Sequence, residues 1–389
     1  MFETKEKVRS GGRRILAGLD IGTSKIGVVI ANQTEDGRLF ILGVGMSPSR
    51  GLRQGVVINL DEAVQSIEKA VREAQLTAGV EVSRVIVGIA GDHIRSVNSR
   101  GVVAVAGQDK EISENDVERV IDAAKAIALP IDREVLHVLP QEFIVDNQGG
   151  IKNPVGISGV RLEAEVHIVT GAVTSAQNII RSVTKGGLEV QNLVLEPIAS
   201  SYAVLDENEK ELGVALVDLG GGTTDIALFH DGAIRNTAVI SLGGQNVTND
   251  IALGLRTPID QAEQIKRKYG SCLPDEADRN SSFMVPGIGG RPEREVSCQL
   301  LASIIQPRME EIFSLAAKEI KRSEFGDMLG AGVVITGGGS LLRNSAELAE
   351  EIFGVPVKIG APTMLHGLME SASSPVFSTS VGLVMYGLE

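Results

Sequence analysis

One short phrase occurs twice in this chain: residues 16–30 read LAGLDIGTSKIGVVI and residues 214–229 read VALVDLGGGTTDIALF. Each copy is an apolar run, a turn rich in Gly and hydroxyls, and a second apolar run, the pattern of two strands joined by a hairpin. Aligning Asp20 with Asp218 and Gly22 with Gly220, and giving the second copy two extra residues, Gly221 and Gly222, sets Thr23 against Thr223 and Ser24 against Thr224. Lys25 then stands against Asp225. Glycine admits positive φ and lets backbone N–H groups approach an anion closely. The repeat therefore predicts a duplicated core whose two halves grip one phosphate chain. A cation in one copy and an anion in the other predicts that one half neutralises phosphate while the other organises a metal ion.

Length and composition narrow the class. With 389 residues the chain exceeds one ordinary core, and two or more domains are expected. A 43% hydrophobic content with 3% aromatic residues and no Trp describes a globular α/β protein built on Val, Ile, Leu and Ala. The formal charge of −13 argues against a nucleic-acid binder, which would present a basic face, and against adsorption of the folded body to an anionic membrane. Two cysteines, Cys272 and Cys298, make neither a disulfide framework nor a zinc site and fit a reducing compartment. No run approaches the roughly 20 apolar residues of a membrane helix. Residues 1–13 lack an apolar h-region and read as a flexible leader.

Along the chain, the first hairpin leads to a third strand near 39–46, a helix over 60–78 capped by Asn59, and a strand at 85–91. This β-β-β-α-β opening differs from a Rossmann unit. Residues 86–164 read as a small inserted α/β subdomain, with a strand at 102–107, a helix opened by Ser113 and Asp116, and two further strands. Helix 173–187, a strand at 190–195 and a small-residue helix, 196–205, precede the second hairpin. Helices follow at 246–256, 258–269 and 297–322, then a strand entering a triple glycine, a helix over 341–353 and a last small-residue helix at 378–388. The polar stretch 271–294 holds one or two weak strands.

Three constellations carry chemistry. Asp20, Asp218 and Asp225 would repel phosphate unless a divalent cation lies between, and Mg²⁺ is commonly held through its waters by one or two carboxylates. Gly337, Gly338 and Gly339, with Ser340, sit where a strand delivers the chain to a helix, a turn that suits a phosphate or a flat ligand. Glu263 and Lys266 lie three apart on one helix face, where they would hold a ribose and an adenine edge or simply pair with each other. Gly243 and Gly244 open the helix after the second hairpin. The five histidines show no ligand spacing, and no Walker A sequence is present.

The order DIGTSK, LEPIASSYAVL, DLGGGTTD, VITGGGSLL and STSVGLVMYGL resembles the five-motif pattern of the actin, Hsp70 and sugar-kinase superfamily: two phosphate loops, an adenosine motif and two connecting helices. Within it the chain resembles the bacterial cell-division family FtsA, above all at 53–71, 87–101 and 132–163, stretches without nucleotide chemistry. The resemblance implies an actin-like two-domain ATPase fold. Its duplicated ribonuclease-H-like β-β-β-α-β-α core would carry an inserted small subdomain in the first half. The first core would comprise 14–85, 165–205 and 368–389, the insert 86–164, the second core 206–245 and 295–367, and the second small subdomain 246–294.

The resemblance also implies ATP and Mg²⁺ in the cleft, held by Asp20, Gly22, Thr23, Ser24, Lys25, Gly220, Gly221, Gly222, Thr223, Thr224, Gly243, Gly244, Glu263, Lys266 and the 337–340 turn. Metal contacts through water fall to Asp20, Asp218 and Asp225. Glu196 opens the first connecting helix, where superfamily ATPases place a water-positioning residue, and a structural hinge role is its alternative. Hydrolysis is expected to be slow at most. FtsA proteins polymerise, bind the C-terminal peptide of the tubulin-like FtsZ through the second small subdomain, and link it to the membrane and to later division proteins through the insert. The expected place is the inner face of the cell membrane at the septum, with attachment through an amphipathic helix. The chain ends at Glu389 with no such helix, and a shortened tail is the expectation. A sugar-type kinase and a pilus-assembly scaffold are the alternatives. The first would need a catalytic base that cannot be placed, and the segment LHVLPQEFIVDNQGGI speaks against the second.

Overall fold

The computed structural model describes residues 14–34, 38–107, 109–277, 281–287, 292–363 and 365–388; the expected leader lies outside them. Two large sheets carry the same arrangement. In the first, the order is Leu39–Pro48, Lys25–Gln33, Arg14–Ile21, Arg84–Ile89, Glu189–Leu195, with Leu365–Gly367 added beyond Leu39–Pro48. In the second it is Ala233–Ile240, Thr224–His230, Val214–Leu219, Val333–Thr336, Val357–Ile359. Each begins with three antiparallel strands and continues with two parallel ones. The duplication inferred from two hairpins thus extends over whole sheets. Strands buried on both faces, such as Val214–Leu219, read as continuous apolar runs because helices cover each side.

Helix Leu60–Ala78 begins where the Asn59 side chain accepts from the Glu62 N–H and ends at Gly79 in the left-handed conformation. Its face of Ala63, Ile67, Ala70 and Ala74 lies against strand Leu39–Pro48. There Gly43 and Gly45 admit the helix backbone so closely that a Cβ on either would lie 2.3 Å or less from a helical carbonyl. The connecting helices Glu196–Val204 and Ser378–Tyr386 also cross at contact: a Cβ on Gly382 would fall 1.8 Å from the Ala199 carbonyl oxygen. Their small residues serve this crossing, through which the two halves are joined.

The inserted unit has a four-stranded sheet, ordered Arg95–Ala104, Arg161–Ala172, Arg133–Val145, Gln148–Ile151, and one helix, Glu114–Lys125, opened by the Ser113–Asp116 capping box. Val120, Ala124, Phe143, Leu162, Val166 and Ile168 belong to a core of its own. Its limits differ from those expected. Arg84–Ile89 pairs in parallel with Arg14–Ile21, so residues 86–89 belong to the first core sheet, while Arg161–Ala172 continues the insert sheet well past 164. Composition could not mark this boundary, because both sheets use the same apolar strands.

Residues 246–294 do not form an independent core among the described residues. Val247, Ile251, Phe283 and Val285 share one buried cluster with Phe313 and Ile335 of the second half. A further difference follows the triple glycine. Residues Gly338–Leu341 form one 3-10 turn, and the helix starts only at Ser345, after Asn344 in the left-handed conformation. The expected helix N-terminus therefore stands several residues away from the glycines.

Candidate functional site

Both hairpins place an aspartate at the end of their first strand, and their registers can be compared directly. Asp20 is opposite Gly27, and Asp218 is opposite Asp225. Equal spacing means equal loops, so the second hairpin has no two-residue insertion and the expected pairing of Lys25 with Asp225 is corrected. Lys25 corresponds to Thr223, and Asp225 corresponds to Gly27. An alignment on shared Thr residues missed this because side-chain identity at the turn is less constraining than the antiparallel ladder.

In the first hairpin Lys25 folds back onto Asp20 as an ion pair. In the second, Thr223 donates to one Asp225 oxygen at 2.9 Å, and the other oxygen, Oδ1, is buried without a partner. Asp218 accepts from Ser200 at 2.6 Å and from Thr379 at 3.3 Å, one hydroxyl from each connecting helix. Neutral hydroxyls do not cancel charge. Burial first, then the neighbouring Asp218, pushes the Asp225 carboxyl up to about 8. Burial likewise raises Asp218, opposed by its Ser200 hydrogen bond. Glu196 is raised well above the usual carboxylate range by burial and then by Asp20, Asp225 and Asp218, with Lys25 acting the other way. Four carboxylates thus converge on one lysine.

The loops meet crosswise. A Cβ on Gly221 would lie 1.9 Å from the Ser24 hydroxyl, and one on Gly222 2.5 Å from the Thr23 hydroxyl. Since Thr23 corresponds to Gly221 and Ser24 to Gly222, this is a two-fold-like contact in which glycines of one half receive hydroxyls of the other. Gly220 accepts from the Gly244 N–H at 2.9 Å and Gly221 from the Gln245 N–H at 2.8 Å, which brings Gly243 and Gly244 against the second loop. Lys266, buried, donates to the Gly244 carbonyl at 2.9 Å and to the Thr248 hydroxyl at 2.8 Å and pairs with Glu263 at 2.7 Å. Gly337, at φ 79°, touches Asp218: a Cβ there would stand 2.3 Å from Oδ1. Gly338 stays exposed at the surface of this cluster.

The expected residues therefore assemble, with two reassigned. The Thr224 hydroxyl donates to the Leu242 carbonyl at 2.8 Å, beyond the next strand, and the Ser340 hydroxyl to the Gly337 carbonyl at 2.7 Å within its own turn. Glu196 has its space because Gly88 faces it; a Cβ there would meet Glu196 Cγ at 3.1 Å. Ser200, Thr379, Thr248 and Gly88 escaped the sequence reading. The hydroxyls on the connecting helices were the one available signal, and they read equally well as packing. Among the described residues no three acidic or imidazole groups form a direct metal cage. An orphaned Asp225 oxygen and an uncompensated acidic set fit a cation reached through its water shell.

Comparison with known proteins agrees with this architecture. The family profile described as Cell division protein FtsA matches residues 215–382, and the profile described as SHS2 domain inserted in FTSA matches residues 91–170, limits close to those of the insert sheet. Cell division protein FtsA of Pseudomonas aeruginosa is 52% identical over 98% of this chain and 91% of its own length. That of Neisseria meningitidis is 46% identical (96% and 90%), and that of Escherichia coli K12 41% identical (98% and 92%). Among solved structures, a PilM-PilN type IV pilus biogenesis complex superposes with TM-score 0.71 at 18% identity, covering 96% of this chain and 98% of that one. MreB5 of Spiroplasma citri bound to ADP superposes with TM-score 0.57 at 15% identity, covering 94% of each. These two establish the actin-like fold, and the relatives establish the rest: the chain belongs to the FtsA family of cell division proteins.

Proposed function

We propose that this protein binds ATP with Mg²⁺ across the two hairpins, that the bound nucleotide sets the shape in which copies polymerise, and that the filament ties the FtsZ ring to the membrane face at the septum. The carrying observation is the crowding of four carboxyl groups beside one lysine, which makes Glu196, Asp218 and Asp225 hold protons above the usual carboxylate range and would let a cation brought by a nucleotide take the place of those protons. Lys25 and the N–H groups of both loops would hold phosphate, while Asp20, Asp218 and Asp225 would hold the waters of the metal. Lys266, Glu263 and the 337–339 glycines would border the nucleoside. Mg²⁺ would supply neutralisation of phosphate charge. Glu196 would orient a water, with turnover slow at most.

The FtsZ peptide is assigned to residues 246–294 and their border. The support is apolar exposure: Leu253, Ile259, Met284 and Leu300 are each about half exposed or more. Later division proteins are assigned to the insert. Among the described residues no helix is long and apolar enough to cross a membrane, and attachment is assigned to an amphipathic segment lying in the interface. Asp218→Ala tests the reading: ATP affinity measured calorimetrically and filaments seen by electron microscopy should both be lost. Unchanged affinity and filaments would refute the metal role. Titration of the FtsZ tail peptide should perturb 246–294, and perturbation confined to the insert would move that site.

A further inference from the structure

The insert strand Arg133–Val145 touches both halves of the molecule at side chains that the nucleotide site does not use. From this strand His137 accepts, at Nε2, the Leu195 N–H at 3.0 Å. Leu195 is the residue before Glu196 and the N-cap of the first connecting helix, which has no side-chain cap of its own. The His137 ring also meets Tyr386 of the second connecting helix edge-on, at 6.5 Å between centroids. Four residues along the same strand, Gln141 donates to the carbonyls of Ile234 at 2.8 Å and Arg235 at 3.2 Å.

Those carbonyls lie on strand Ala233–Ile240 of the second half. The same strand receives Ser96 on the Thr237 carbonyl at 2.9 Å, Asn98 on the Arg235 carbonyl at 3.3 Å, and the His167 ring against the Thr237 hydroxyl at 2.9 Å. Two residues beyond Thr237, Val239 is the register partner of Asp225. The chain of contacts therefore runs from Glu196, through Leu195, His137 and the insert sheet, to the strand that flanks Asp225. Burial pushes both imidazoles down to about 4, so each is neutral near pH 7, and the acceptor at His137 Nε2 places its proton on Nδ1.

We infer that the insert is a strut across the back of the cleft, and that His137 and Gln141 are positioning residues that hold Glu196 and the Asp225 strand at the separation that retains nucleotide. This rests on the proposed ATP reading. A rotation of one half against the other must break the His137 contact on one side, the Gln141, Ser96, Asn98 and His167 contacts on the other, or the insert's own sheet, and single hydrogen bonds yield before the eleven-pair ladder between Arg133–Val145 and Arg161–Ala172. A partner that shifts the insert would then change nucleotide retention without touching the cleft, and by reciprocity bound nucleotide would change affinity for that partner.

The test uses the full chain with Mg²⁺ and a fluorescent ATP analogue, chased by excess ATP. His137→Leu should release the analogue about tenfold faster, about 1.4 kcal/mol, the scale of one buried hydrogen bond. His137→Gln, which retains an acceptor for the Leu195 N–H, should restore release to within about twofold of the original rate. Gln141→Leu should accelerate release as well, and amide exchange at Leu195 should quicken in His137→Leu alone. Wild-type release in His137→Leu and Gln141→Leu chains that still melt cooperatively would overturn the strut. Equal acceleration in His137→Leu and His137→Gln would do the same, since packing and not the hydrogen bond would then be responsible. A wild-type chain that fails to bind the analogue would overturn the proposed function itself, and the inference with it.

Discussion

The two hairpins have loops of the same length, the same register about them and the same leading aspartate, yet they hold opposite electrostatic states. The first is neutralised within itself, because Lys25 returns to Asp20, whose register partner is the uncharged Gly27. The second sets Asp218 directly opposite Asp225 and offers them hydroxyls from Ser200, Thr379 and Thr223. Hydroxyls orient a carboxylate but do not discharge it. A duplicated scaffold has thus been given one half with an ion pair of its own and one whose carboxyl groups have only hydroxyl partners. The asymmetry resides in two positions per hairpin, and a change at either should shift it.

Reversing the first hairpin should have the largest effect. Lys25→Glu would leave both halves acidic, and nucleotide affinity by calorimetry should fall by more than about a hundredfold, the scale of breaking a buried ion pair. Retained affinity would show that the first half does not neutralise phosphate. Easing the second half should be milder and opposite in sign for stability. Asp225→Asn removes an uncompensated carboxylate, so the nucleotide-free chain should melt a few degrees higher, about 1 kcal/mol, while nucleotide binding loses much of its Mg²⁺ dependence. An unaltered response to Mg²⁺ would break the comparison.

A further test lies in the pH dependence. The folded chain keeps a proton on Asp225 up to about pH 8, whereas the unfolded chain releases it near its ordinary value of 3.8. The stabilisation is therefore fully present below about pH 4 and is lost progressively as pH rises toward 8, with Glu196 and Asp218 acting in the same direction. Denaturant titrations of the nucleotide-free chain should show this decline, and Mg²⁺ with ATP should flatten it. A nucleotide-free stability that climbs between pH 4 and 8 would remove the argument for an uncompensated acidic cleft.

Much of the fold could be read from the sequence because its signals are local. Asn59 and Ser113 open their helices as capping chemistry requires, and the helix over 60–78 begins and ends where the periodicity places it. The phosphate-loop residues, the 337–339 glycines and the Glu263–Lys266 pair also converge as the motif order suggested. The errors share one origin. Hairpin register, the extent of the insert sheet and the delayed start of helix Ser345–Phe353 depend on which backbone pairs with which. Composition does not record that.

The sequence by itself determined that the chain is a duplicated, acidic α/β protein with two hairpins rich in Gly and hydroxyls, two small-residue connecting helices and an insert, and its resemblance pointed to the cell-division family. Periodicity, caps and turn residues act over a few neighbours, so one chain suffices to read them. Only the tertiary structure decided that Lys25 faces Asp20, that Asp225 is left with an orphaned oxygen, and that His137 and Gln141 join the insert to opposite halves. The Lys25–Asp20 pair spans only five residues but depends on the hairpin register, whereas the His137 and Gln141 contacts span 58 and 93 residues and are fixed by packing.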